Sequence, residues 1–171
     1  MVDARPRPGR ERKSGPRLMS IGFVLGFIAA VIADQLVDAG VRTLEAPRDL
    51  LGNTLRLAPS TNDGIAFGLL QGTGPLPIVL SLGVMVGITI YARRHRADPL
   101  LSAGLGLLVG GAFANLLERL TRGAVLDYVD MGLGNLRWPT FNVGDIAISI
   151  AIVILVTVSA WRDRPTRQSS A

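Results

Sequence analysis

The sequence predicts an all-α integral membrane protein: four transmembrane helices, both termini cytoplasmic, and a small extracytoplasmic β element in the first outer loop. Three observations predict it. Apolar residues make up 49% of the 171-residue chain and the mean hydropathy is +0.39, both high for a soluble protein. Those residues fall in four runs, each long enough to cross about 30 Å of hydrocarbon at about 1.5 Å per helical residue. Basic residues cluster beside the runs, six before the first, three after the second and three after the fourth. The other six are spread over the two opposite loops, so the positive-inside rule places residues 38–74 and 118–142 outside.

Each element follows in order. Residues 1–17, basic, Pro-rich and without apolar periodicity, read as a disordered cytoplasmic tail. Residues 18–37 form the first span. The same stretch also fits a cleaved leader, because a basic segment, an apolar core and Val31-Ile32-Ala33 stand ahead of Asp34. Residues 38–74 carry turn formers at Gly40, Gly52, Pro59, Gly64 and Gly72, with short alternating pieces such as 53–57 that read as strands. The second span covers 75–91 and is stopped by Arg93, Arg94 and Arg96. The third covers 100–117 and is rich in small residues, Gly104, Gly106, Gly110, Gly111, Ala112 and Ala114, which let helix backbones approach. It should be the most tightly packed of the four. The fourth covers 143–161, closed by Arg162, Arg164 and Arg167, and residues 162–171 form a second cytoplasmic tail. Residues 18–161 thus make one transmembrane domain, without internal repeats.

Composition removes several kinds of chemistry. There is no cysteine, which excludes thiolate catalysis, disulfides and cysteine metal sites. A lone histidine, His95, argues against a His-based metal centre or a Ser-His-Asp triad. The net charge of +5 comes from arginines beside the apolar runs, with no aromatic interleaving and no groove-reading motif. Nucleic acid is not an expected partner.

The stretch from Val125 to Asp145 holds three carboxylates, Asp127, Asp130 and Asp145, between two apolar runs. Ionisable groups in such a place are expensive and mark a functional site by default. Aspartyl hydrolysis needs two carboxyls close enough to share a proton, one as general base on water and one polarising the carbonyl. Asn142 fits the N-cap of the fourth helix and Asp145 its third position, where the helix dipole favours an anion. The same pair could be no more than a capping box. Asp127 has an apolar flank and pairs better with Asp145, arriving from another element, than with Asp130. Asp130 would share a face with Asp127 only if this piece were helical, and fits a solvated or Arg137-paired charge.

The chain resembles the bacterial lipoprotein signal peptidases, the type II signal peptidases, over residues 18–161. Asp34-Gln35, Asn62-x-Gly64-x-Ala66-Phe67, Gly110-Gly111-Ala112-x-x-Asn115-x-x-Glu118-Arg119, Val125-x-Asp127-Tyr128 and Phe141-Asn142-x-x-Asp145 carry the likeness. Each is weak alone; five in order at one membrane face are specific. The resemblance keeps the first span in the mature protein, since it gives Asp34 and Gln35 a place. It implies a membrane-embedded aspartyl endopeptidase of the bacterial cytoplasmic membrane, its active site facing outward. The substrate would be a diacylglyceryl-modified prolipoprotein cut just before the lipid-modified cysteine.

Asp127 and Asp145 match the family's catalytic pair; Asp34, Asn62, Gly64, Asn115, Arg119 and Asn142 match its supporting or substrate-binding residues. Without the resemblance, Asn115 reads as an interhelical hydrogen bond, Arg119 as an interfacial anchor, and Asn62 with Gly64 as a turn. No metal and no cofactor are expected. The partners are the prolipoprotein and membrane lipids, and the chain is expected to be a monomer. Four positions depart from the family: Asp38 for lysine, Glu118 for aspartate, Ala114 for glycine and Gly144 for alanine. Asp38 reverses a charge, so a cation must come from elsewhere, with Arg42 nearest in the chain. That reversal is the one feature favouring the alternative, a divergent homologue that binds lipoprotein or lipid without cutting. A proton- or ion-coupled transporter fits worst, because no acid sits mid-span to relay charge.

Overall fold

The computed structural model describes residues 19–65, 69–94 and 98–162. The expected tail at 1–17, all but Arg162 of the expected tail at 162–171, the stop residue Arg96 and the motif residues Ala66 and Phe67 lie outside the described residues. Four helices, each long and apolar enough to cross a membrane, form a bundle: α1 (Ile21–Val41), α2 (Leu76–Arg94), α3 (Pro99–Arg122) and α4 (Val143–Arg162). Ser20 caps α1 by accepting from the Phe23 amide, and Asp98 caps α3 by accepting from Leu101 with Pro99 next in line. Gly123, with φ of 82°, ends α3 in the left-handed conformation that residues with a Cβ avoid.

α3 is the most buried helix, as its small residues predict, and it touches the other three. It runs parallel to α1, and glycines on each meet backbone on the other. A Cβ on Gly26 would lie 2.4 Å from the Ala103 carbonyl oxygen, and one on Gly106 2.1 Å from that of Phe23. Phe23, Leu105 and Val109 pack beside this seam as the apolar core of the bundle. The segment that also fitted a cleaved leader is therefore part of the central packing of the fold.

The β element is larger than the sequence suggested. It is a four-stranded antiparallel sheet in the order β1 (Arg48–Leu51), β2 (Leu55–Asn62), β3 (Val125–Leu133) and β4 (Leu136–Arg137). Only β1 and β2 come from the first connection; β3 and β4 belong to the second. The alternation that betrays a half-exposed strand is missing in β3 because Val125, Leu126, Asp127 and Tyr128 are all buried. Being a strand, β3 also removes the shared helix face that would have paired Asp127 with Asp130. Asp130 is instead held by Arg137, at 2.8 Å from Nε, and by Arg56, at 3.0 Å from Nε. Pro59 sits where the β2–β3 register shifts, a place in a ladder that lacks need of its N–H.

Val41, Leu126 and Tyr128 pack as a second apolar cluster that seats the sheet on one end of the bundle. The opposite end carries Arg93, Arg94 and an ion pair between Asp98 and Arg162.

Alanine normally stabilises a helix over glycine by up to about 1 kcal/mol. The seam reverses this: Gly106→Ala should lower the thermal midpoint in detergent, by overpacking of about 1–3 kcal/mol. Gly83→Ala, whose Cβ would meet nothing within 4 Å, should leave it unchanged or raise it.

Candidate active site

At the sheet end, a cavity of about 600 Å³ is lined by Asn62, Asn115, Arg119, Asp127 and Asp145 among other residues. Asp127 arrives on β3 and Asp145 on the first turn of α4. The elements that hold them meet at Asn142, which is 1% exposed. Its side-chain nitrogen donates to Asp127 Oδ1 at 3.1 Å and to Asn115 Oδ1 at 2.9 Å. Its side-chain oxygen accepts from the Asp145 amide at 2.9 Å, and its own amide donates to Asp145 Oδ2 at 3.3 Å. The capping box read from the sequence is present, and it forms one structure with the acid pair rather than a rival to it.

Asn115, one helix away on α3, donates to Asp145 Oδ1 at 3.0 Å. Asn62, at the end of β2, donates to Asp127 Oδ2 at 3.0 Å and accepts from the Gly64 amide at 2.9 Å. It is a strand terminus reaching the acid, not a free turn. Each carboxylate is thus gripped by two donors from different elements. Burial, opposed by the Asn62 hydrogen bond and reinforced by the charge of Asp145, pushes Asp127 up to about 6.

The remaining predicted residues act at one remove. Arg119 is buried, and its guanidinium donates to the carbonyls of Gly64, at 3.1 Å from Nε, and Asn115, at 3.3 Å from Nη1. It neither snorkels outward nor forms an ion pair with a described carboxylate within 4.0 Å, but ties the loop after β2 to α3. Gly64 must lack a side chain there, since a Cβ would lie 2.2 Å from the Leu69 carbonyl oxygen. Asp34 does not line the cavity. Its Oδ1 accepts from the Gly144 amide at 2.8 Å, so α1 caps α4 from the side.

Sequence reasoning passed over three contributors. Ser60 donates to the Asp127 carbonyl at 3.2 Å, the Tyr128 hydroxyl accepts from the Val143 amide at 3.2 Å, and Glu118 accepts from the Leu126 amide at 2.7 Å. The Asp127-Tyr128 dipeptide and the acid in Glu118-Arg119 were visible as motif members. That they grip backbone was not.

The sequence profile described as "Signal peptidase (SPase) II" matches residues 26–161. This chain belongs to the signal peptidase II family. The lipoprotein signal peptidase of Syntrophomonas wolfei is 36% identical over 143 residues, covering 80% of this chain and 93% of that protein. That of Methylorubrum extorquens is 38% identical over 159 residues, covering 86% and 92%. That of Mycobacterium bovis is 30% identical over 162 residues, covering 91% and 75%. A solved bacterial membrane enzyme, 19% identical, shares the fold with a TM-score of 0.76 over 92% of this chain and 99% of its own.

For a signal peptidase II the neutral form of Asp127 is the form that burial favours. A carboxyl lifted from 3.8 to about 6 adds nothing below pH 4 and opposes folding increasingly as pH rises to 6, by about 3 kcal/mol at most. Asp127→Asn should match the wild-type thermal midpoint at pH 4 and exceed it at pH 7.5, in melting curves at both pH values.

Proposed function

We propose that Asp127 and Asp145 are the acid–base pair with which this signal peptidase II cuts diacylglyceryl-modified prolipoproteins before the lipid-modified cysteine. The chain is an aspartic peptidase that removes the signal peptides of prolipoproteins. What supports the pair is the joint at Asn142, which hydrogen-bonds the carboxyls of Asp127 and Asp145 from different elements, with both acids lining a single cavity.

Asp145 stands at a helix N-terminus and accepts from Asn115 and from the Asn142 amide, surroundings that suit a carboxylate. It takes the proton of a water as that water attacks the scissile carbonyl. Asp127, its neutral form favoured by burial, donates to the carbonyl oxygen, giving a tetrahedral diol. Collapse of the diol breaks the C–N bond as a proton passes to the leaving nitrogen. The pair then returns to one proton between two acids.

The cavity continues past the acids between α2 and α4, along Ser81, Ala112, Ile146, Ile150 and Ile152. An apolar cleft open to lipid suits a substrate whose acyl chains stay in the bilayer. Arg93, Arg94 and Arg162 gather at the far end of the bundle, which by the positive-inside rule is cytoplasmic. The acids, the sheet and the cleft mouth then face the outer side of the cytoplasmic membrane. Asp38, the feature that favoured a non-cleaving homologue, stands outside the cavity lining, and the nearby cation Arg42 hydrogen-bonds Glu118 and lies 3.5 Å from Asp38 Oδ2.

Asp127→Asn and Asp145→Asn should each lower cleavage of a lipid-modified precursor by about 10³-fold or more, with the helical circular dichroism unchanged. Wild-type turnover in either purified variant would rule out the pair.

A further inference from the structure

Behind the two aspartates, on the side away from the cavity, lies a second group of ionisable side chains. Asp38 on α1 is 4% exposed, and neither of its carboxyl oxygens receives a hydrogen bond. Its neighbours are Glu118 from α3, Asp34 and Arg42 from its own helix and the Tyr128 hydroxyl from β3. Arg42 is shared: its Nη2 hydrogen-bonds Glu118 Oε1 and makes only a longer ion-pair contact, 3.5 Å and no hydrogen bond, with Asp38 Oδ2. Arg122 also reaches Glu118, at 3.4 Å. Arg119 turns away to the Gly64 and Asn115 carbonyls, and the nearest acid of α4, Asp145, is held by Asn115 and Asn142. Two buried carboxyls thus gather at one guanidinium: Glu118 is paired with two cations and hydrogen-bonded, whereas Asp38 has one long ion-pair contact and no hydrogen-bond donor. A buried ionised carboxylate without donors is among the most costly groups a fold can hold.

We propose that Asp38 is a neutral, proton-bearing positioning residue that donates to the Glu118 carboxylate and so steadies both acids of the pair. Glu118 reaches the Leu126 amide, one residue before Asp127. The Tyr128 hydroxyl beside Asp38 reaches the Val143 amide, two residues before Asp145. One side chain therefore stands behind β3 and behind the first turn of α4 at once. A protonated acid supplies the donor that a cation would otherwise supply at this point of the helix. The inference about catalysis rests on the Asp127–Asp145 reading; the inference about the proton does not.

The infrared spectrum of the purified full chain in detergent at pH 7.5 separates the two. Wild type minus Asp38→Asn should leave a carboxylic-acid carbonyl band, because a proton-bearing side chain has been removed. Asp38→Asn, which keeps a donor and an acceptor, should hold its thermal midpoint and cleave within about threefold of wild type. Asp38→Ala should lose about tenfold in kcat with KM within twofold, about 1.4 kcal/mol in the barrier. No carboxylic-acid band in the difference, a midpoint that falls as far in Asp38→Asn as in Asp38→Ala, or wild-type kcat in Asp38→Ala overturns the assignment. Active Asp127→Asn or Asp145→Asn would remove the catalytic pair and leave the infrared result to stand by itself.

Discussion

Every polar atom of one buried amide is in use, and the site is arranged around it. Asn142 has two N–H donors and one carbonyl acceptor on its side chain, and these go to Asn115, Asp127 and the Asp145 amide. Inside a protein such a network is strong when complete and expensive when broken, because each freed group is left without water. The strand, the packed helix and the helix N-terminus that meet there are thereby fixed relative to one another. An acid pair needs this kind of fixing, since a displacement of about 1 Å in a reacting group can forfeit about a hundredfold in rate.

That arrangement needs a bundle close enough to bring α3 beside α4 and α1 beside both. In lipid the apolar effect does not drive helices together, so close packing and hydrogen bonds must do it. The glycine seam between α1 and α3 brings the backbones together, and Gly111 does the same toward α4, where a Cβ would lie 2.4 Å from the Gly144 carbonyl oxygen. Close approach then lets Asp34 on α1 reach the Gly144 amide. α2 takes little part, is mostly exposed and adds Ser81 to the cavity that the acids and the isoleucines of α4 also line.

The helices were legible because an apolar run longer than a bilayer has few other uses, and their ends were marked by Asn142 and the arginines. The strands of the second connection were not. β3 is buried on both faces over its first four residues, so it shows no alternation, and its carboxylates look like those of a loop. Asp127, Asp145, Asn62, Asn115 and Asn142 were read as members of one site, and they meet in one network. Asp34 was read with them but bonds the Gly144 amide and stands outside the cavity lining, and Gly64 serves through its backbone, donating to Asn62 and accepting from Arg119. Arg119 lines the cavity yet bonds only backbone carbonyls. A residue type at a motif position does not reveal whether its partner is a substrate or a carbonyl of its own chain.

By itself the chain determined four apolar spans and the residue types available for chemistry, because these depend on composition and spacing along one dimension. Only the tertiary structure decided that the sheet draws half its strands from the second connection, that Arg42 takes the place of a missing cation at Glu118, and that Asp38 is left without a donor. Those outcomes depend on which side chains meet across helices separated by tens of residues. Distance in sequence carries no information about that until the glycines let the backbones close.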